Sequence, residues 1–384
     1  MKVVFVSNFL NHHQLPFCEE MIKRLGKENF KFIATEKIPD ERIKLGYEDM
    51  NNIYPFVIRA YENQKEALDF SVKSDIAIIG SAPELYIRNR VKDKNKLTFR
   101  YSERLYKTYR KIHCTGPIRT FIKSNFLEKN RVYLLCASAY AYNDFLSGFS
   151  YRNRAFKWGY FPEFKKYNIK KLIKNKKKKS IVWVARYIDW KHPEIPVELA
   201  KMLRNDGFDF CIDMIGNGEL LDNIRNDVKK YHLENYVNIV GSVPANEVRK
   251  YMEADRIFLF TSDRGEGWGA VLNEAMNSGC VPIVNCEIGS APYLIKDAYN
   301  GFLYKDGDIY DLYNKLKNIL SNENIQEIVS LNAYQTIAEN WNPEKAVSNF
   351  IVLSNFLLKN KNMSKYKIRY GPCSKAEIIK DNWY

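Results

Sequence analysis

IFLFTSDRGEGWGAVLNEAMNSGCVPIVN, residues 257–285, runs strand, glycine turn, helix and strand in one continuous stretch. The run 257–260 is short and wholly apolar, the pattern of a strand buried on both faces of a sheet. Gly265, Gly267 and Gly269 then crowd into a turn, where missing side chains let backbone come close to a ligand. A helix is expected at about 268–278, and 281–285 reads as the next strand. Such a helix turns its first N–H groups and the positive end of its dipole toward the turn, an anion site suited to a diphosphate. Glu266 lies in the turn and Glu274 in the helix, so each can serve a different hydroxyl-bearing part of one elongated ligand. A glycine turn followed by a surface glutamate is common in α/β proteins. Seven residues between the two glutamates, and the trailing EAMNSGCVPIV, set this one apart.

The same alternation extends outward. Strands are predicted at 181–185, 210–215 and 237–240, with helices at about 193–205, 219–232 and 245–254. Residues 165–180, KKYNIKKLIKNKKKKS, break the pattern with a basic, polar run that predicts a solvated linker. Before it come strands at 3–7, 30–35, 76–80 and 132–137, with a helix at about 14–25. Alternating strands and helices predict α/β architecture with mostly parallel, doubly wound sheets. The expected organisation is a domain at 1–164, a linker at 165–179 and a second domain at 180–341. Residues 342–384 form a helix and tail packing back on the body. Two Rossmann-like halves of similar size are expected to face each other across a cleft.

Composition narrows the function. The chain has 384 residues, 46% hydrophobic and 14% aromatic, which supports large cores and excludes a mainly disordered protein. Lysine and arginine number 60 against 45 acids, and the net +15 implies nucleic acid, phosphorylated ligands or an acidic membrane surface. Seven cysteines without a CxxC pair read as small buried hydrophobes in a reducing compartment. The first apolar run is too short for a signal peptide, and no stretch approaches the roughly 18 apolar residues of a membrane span. A soluble, cytoplasmic protein is expected. The aromatics follow core patterns and no RNA-binding signature is present, which weighs against a basic nucleic-acid-binding protein. The first βα turn lacks GxGxxG, so a nicotinamide dehydrogenase fails.

The run EGWGAVLNEAMNSGCVPIV resembles the E-x7-E signature of retaining, nucleotide-sugar-dependent glycosyltransferases of family 4, which have the two-domain GT-B fold. The resemblance covers about 180–341. It implies that Glu266 contacts donor-sugar hydroxyls, that Glu274 holds the ribose, and that Gly267, Trp268, Gly269 and Ala270 offer backbone donors to sugar and diphosphate. It also implies that Arg186 and Lys191, on the loop after the strand IVWVA, grip the diphosphate. The physics agrees, since fixed cations stabilise a departing nucleoside diphosphate without a metal. Gly216 and Gly218, in MIGNGE, match the family's donor loop, and Val243 falls where the family packs the base.

The first domain departs from the family's pattern. A glycine-rich loop is common there after the first strand; here the chain reads NFLNHHQ, leaving Asn11, His12 and His13 as acceptor-side candidates. Adjacent histidines invite zinc, but no further ligand cluster accompanies them. The family's mid-domain histidine is replaced by LTFRYSE, so Glu103 or Ser102 takes its place. A carboxylate there would stabilise developing positive charge or accept the acceptor's proton, unless it pairs with Arg100 or Arg104. Asp306-Gly-Asp308 has a DxD form, but its setting reads as a helix N-cap at Asp308.

Residues 88–131 hold 14 Lys/Arg against three acids. Leu105, Tyr109 and Ile112 repeat at helical spacing, as do Ile118, Phe121, Ile122 and Phe126. Basic amphipathic helices of this kind suit peripheral contact with an anionic inner membrane. The leading expectation is a retaining, metal-independent hexosyltransferase. It would move sugar from a nucleotide-sugar donor to a glycan or lipid-linked acceptor in cell-surface polysaccharide synthesis, with no cofactor and no nucleic-acid partner. An epimerase or phosphorylase on the same architecture is the alternative.

Overall fold

The computed structural model describes residues 1–107 apart from 45, 47 and 94; residue 122; 132–359 apart from 147; and 362–384 apart from 382. The chain forms two units. The first is Met1–Glu163 with Asn340–Lys380, and the second is Phe164–Glu339 with Asp381–Tyr384.

In the first unit, seven parallel strands are ordered β3-β2-β1-β4-β5-β6-β7. They are β1 Val3–Ser7, β2 Phe30–Ala34, β3 Val57–Arg59, β4 Ile76–Ile79, β5 Leu97–Ser102, β6 Val132–Cys136 and β7 Ala155–Lys157. Every residue of β1 and β6 is buried, which is why both read as unbroken apolar runs. Strand order reverses between β1 and β4, and such a reversal opens a crevice at the carboxyl ends of a parallel sheet. The helix Pro343–Lys359 packs on the helix Leu15–Leu25, placing Phe350 among the rings of Phe17, Phe99 and Trp158 at 6.2, 5.2 and 5.8 Å. The expected late helix therefore completes this unit's core.

The basic stretch behaves differently from its sequence reading. Arg90 is wholly buried and donates to Thr98 and to the carbonyls of Ser71, Ser74, Asp75 and Leu97. Arg104 is also buried, 4.5 Å over the Tyr140 ring and 4.0 Å from Asp144. Two cations of the stretch are thus structural. Residues 103–107 are not helical, because the backbone N–H groups of Leu105 and Tyr106 donate to Asp144. Tyr109, Ile112, Ile118, Phe121 and Phe126 lie outside the described residues. Among the described residues no helix is long and apolar enough to cross a membrane.

The second unit has six parallel strands ordered β10-β9-β8-β11-β12-β13. They are β8 Ser180–Val184, β9 Cys211–Ile215, β10 Val237–Gly241, β11 Ile257–Phe260, β12 Val281–Asn285 and β13 Phe302–Tyr304. Here the order reverses between β8 and β11, which places the loop after β8 beside the glycine turn after β11.

The run 165–179 is largely exposed, as its lysines predict, but it is part of the second unit and carries structure of its own. It contains the helix Ile169–Asn175, whose Ile173 is buried and whose Ile169 lies so close to Gly279 that a Cβ there would meet it at 2.7 Å. Lys176 is buried, with its ammonium donating to the carbonyls of Met252 and Asp255. Asn277 fastens the segment's start, exchanging 2.9 Å hydrogen bonds with the backbone of Lys165. Asp308 caps the helix Ile309–Leu320 by accepting from the Asp311 N–H at 2.9 Å, as its setting predicts. Asp306 accepts from Asn285 at 2.6 Å.

Candidate active site

The loop after β8 carries Arg186 and a single 3₁₀ turn, Asp189–Lys191. Two groups fix that turn. The Trp183 indole N–H donates to the Thr261 hydroxyl at 2.8 Å, and that hydroxyl donates to the Lys191 carbonyl at 2.6 Å. The Asp263 N–H adds a bond to the Trp190 carbonyl at 3.1 Å. Lys191 is thereby held against the glycine turn, where its ammonium pairs with the Glu266 carboxylate. Only about 12% of either side chain is exposed, so water screens the pair weakly. The same ammonium lies 4.2 Å from the Trp190 ring centre, and the exposed Arg186 guanidinium lies 5.8 Å from it. Two residues predicted for the site, Lys191 and Arg186, therefore share one indole, and a third, Glu266, joins them through Lys191.

The turn itself has a built geometry. Asp263 accepts from the Gly265 N–H at 2.7 Å, tightening the bend. Gly269 has φ 84°, and a Cβ there would lie 2.6 Å from the Phe260 ring. The helix after it is Ala270–Asn277, two residues shorter at its start than predicted, and no side chain caps its N-terminus. Glu274 is half-buried on this helix. Trp268 is fully buried, donating to Asn273 at 2.9 Å, so only its backbone belongs to the turn. The N–H groups of Gly289 and Ser290 bind the carbonyls of Glu266 and Trp268 at 3.3 and 3.2 Å, bracing the turn.

Gly216 and Gly218 serve the loop after β8. A Cβ on Gly216 would lie 1.9 Å from the Ala185 carbonyl oxygen, and one on Gly218 would lie 2.4 Å from that of Tyr187. Their φ values of 141° and 159° also favour glycine. Val243 is half-buried in the turn after β10. His192, which the sequence reading passed over, adds a third cation. Its Nδ1 is 2.9 Å from Glu194 and its Nε2 is 3.5 Å from Asp263. Asp263 and then Glu194 push its pKa up to about 10, so the ring is protonated at neutral pH. The missed signal was the acid two residues after it, in HPE.

The first unit holds a separate cavity of about 560 Å³ at the carboxyl ends of β1, β4 and β5. Asn11 and Glu103 line it, together with Arg42, Arg100, Tyr101 and Tyr160. Glu103 is oriented by the Tyr160 hydroxyl at 2.6 Å and Lys107 at 2.7 Å, not by Arg100 or Arg104. Arg100 instead forms a two-pronged pair with Glu84 at 3.0 and 3.2 Å. Ser102 lines the cavity beside Glu103, but its hydroxyl donates to the Glu103 carbonyl at 2.8 Å. His12 and His13 are not among the lining residues; their rings meet at 3.7 Å with their planes tilted by 51°, and His13 stacks on Tyr160 at 5.9 Å. Burial, and then Arg42, lowers the His12 pKa to about 4, and burial likewise holds His13 well below its ordinary value. Both rings are neutral at pH 7.

Two parallel-sheet, Rossmann-like units with helices closing the chain are the GT-B architecture of glycosyltransferases. The solved structure of a glycosyltransferase from Rickettsia africae superposes with a TM-score of 0.69 at 16% identity, covering 94% of this chain and 99% of that one. The Anabaena protein HepE, solved in complex with UDP, gives 0.67 at 14% identity, covering 91% and 99%. Residues 164–336, within the second unit, match the family described as glycosyl transferases group 1. The amylovoran biosynthesis glycosyltransferase AmsK of Erwinia amylovora is 32% identical over 133 residues, 33% of this chain and 32% of that protein. The chain matches less than half the length of the curated relatives.

Proposed function

We propose that the chain is a retaining glycosyltransferase that moves a hexose-type unit from a nucleoside-diphosphate sugar to a glycan or lipid-linked acceptor in cell-surface polysaccharide synthesis. The observation that carries this reading is the Lys191–Glu266 pair beside Arg186, set against a glycine turn and an uncapped helix N-terminus. In the free protein the glutamate occupies the ammonium. An arriving diphosphate takes over Lys191 and Arg186, and Glu266 is released to the hydroxyls of the donor sugar. Glu274 holds the ribose. The two side chains and the backbone N–H groups of the turn then neutralise charge gathering on the departing diphosphate, so no divalent metal is required. UDP bound to the structurally similar HepE and the biosynthetic role named for AmsK support the choice of donor and pathway class.

The acceptor is read at the cavity of the first unit, with Glu103 receiving a hydrogen bond from an acceptor hydroxyl. In a front-face displacement, the acceptor oxygen bonds to the anomeric carbon as the bond to the diphosphate oxygen breaks. The hydroxyl proton passes to that same diphosphate oxygen, and configuration is retained. A thermal-shift panel of UDP, GDP, ADP and their sugars tests the reading. One nucleotide series should stabilise the protein, and Glu274→Ala should weaken that nucleotide's binding roughly 10- to 100-fold. Stabilisation by none of them would refute the reading.

A further inference from the structure

Residues 381–384 belong to the second unit although the chain before them, 340–380, belongs to the first. Asp381 meets the glycine turn itself, and Trp383 and Tyr384 bind segments further along the same unit. Arg264 sits inside that turn, between Asp263 and Gly265, with about 5% of its side chain exposed. Its guanidinium meets the Asp381 carboxylate at 3.2 Å. The Trp383 indole N–H donates to the Cys286 carbonyl at 3.3 Å. Cys286 opens the 286–290 segment, whose Gly289 and Ser290 N–H groups brace Glu266 and Trp268. Tyr384 closes the attachment, donating to Asp297 at 3.0 Å and accepting from Lys315 at 2.9 Å.

We infer that Asp381, Trp383 and Tyr384 form a positioning element for the donor site, holding the glycine turn in the geometry that presents Glu266 to Lys191. A guanidinium buried in a turn needs a fixed anionic partner. Asp381 supplies one from outside the sheet, and Trp383 grips the neighbouring segment that supports the same turn. The contacts described for Asp381, Trp383 and Tyr384 fall on Arg264, Cys286, Lys315 and Asp297 and not on Glu266 or Lys191, so the element acts through the turn and not on the ligand. The inference rests on the donor reading given above. It adds that affinity for a nucleoside diphosphate depends on a segment distant in sequence from the 164–336 domain match.

The test compares the full chain, a chain ending at Lys380, Asp381→Asn and Asp381→Glu by calorimetric titration with UDP, GDP and ADP, alongside thermal unfolding. The shortened chain should lose roughly tenfold or more in affinity for the nucleotide that the full chain binds, and Asp381→Asn a smaller part of that. Asp381→Glu should recover most of the loss, while the unfolding temperature of all four proteins stays within a few degrees. A rescue by glutamate separates positioning from general loss of packing. Equal nucleotide affinity in the full and shortened chains overturns the inference and leaves the donor reading standing. A full chain that binds none of the three nucleotides overturns the donor reading, and the inference with it.

Discussion

The turn after β1 and the turn after β8 occupy the same topological place, each leaving the first strand of its sheet beside the strand-order reversal. Their electrostatics are opposite. After β1, His12 and His13 lie ring against ring and are held neutral by burial, with Arg42 adding to the effect. After β8, His192 is held protonated by Asp263 and Glu194, beside Lys191 and Arg186. Histidine supplies both behaviours because its ordinary pKa lies near neutrality and its surroundings decide the side. One fold position thus carries neutral rings in the first unit and a cluster of cations in the second.

The contrast breaks first at Lys191. Lys191→Ala should lower kcat/KM for sugar transfer by roughly 10²–10³, because it removes a fixed cation from the leaving group. His12→Gln, in the matching turn, should change it less than tenfold, since a neutral ring outside the cavity lining supplies no charge to the transition state. Steady-state kinetics with the donor found in the nucleotide panel reads both. Losses of equal size would show that the two turns are not divided between charge and scaffold.

Acid and alkali should separate the same two turns. His12 has a folded pKa of about 4 against an ordinary 6.5, so the unfolded chain takes up its proton first as pH falls. The first unit therefore loses stability between about pH 6.5 and 4, by an amount of order 3 kcal/mol. His192 has a folded pKa of about 10, so its contribution is complete below pH 6.5 and is lost as pH rises through about 10. Solvent screening makes this second effect smaller, as the ring is only half-buried. Thermal unfolding across pH should show His12→Gln flattening the acid limb and His192→Gln the alkaline limb. If each variant flattened the opposite limb, the charge assignment would be reversed.

How legible this was in the sequence follows from which interactions are local. The strands 257–260 and 281–285 and the glycine turn between them could be read directly, because burial on both faces leaves apolar runs and a close backbone approach leaves glycines. Lys191 and Arg186 were legible only through the resemblance, since nothing in YIDWK alone says that Thr261 pins the turn. Gly216 and Gly218 looked like ligand-facing glycines, yet the loop 185–187 is what occupies their space. The helix Ile169–Asn175 was hidden in a lysine run because its buried contacts are few and its partner, Gly279, lies far along the chain. The docking of Asp381 on Arg264 left no local trace, for an ion pair between distant residues has no periodicity.

The smallest effect is expected at Asn11, where the first unit's turn does for backbone what glycines do in the second. The Asn11 side-chain oxygen accepts from the N–H groups of His13 at 3.0 Å and Gln14 at 3.2 Å, at the entry to the helix Leu15–Leu25. Gln14 itself makes no capping bond, and Asn11 orders the turn that leads into the helix instead. Asn11→Ala should cost about 1 kcal/mol, a fall of about 2–4 °C in unfolding temperature, with nucleotide affinity unchanged. Asn11→Asp keeps the accepting oxygen and should restore most of the loss. Asn11 also lines the cavity of the first unit, which gives the experiment a second edge. An unchanged unfolding temperature together with a raised KM for acceptor would make Asn11 a ligand contact, and the turn after β1 would then bind substrate directly, as the turn after β8 is proposed to do.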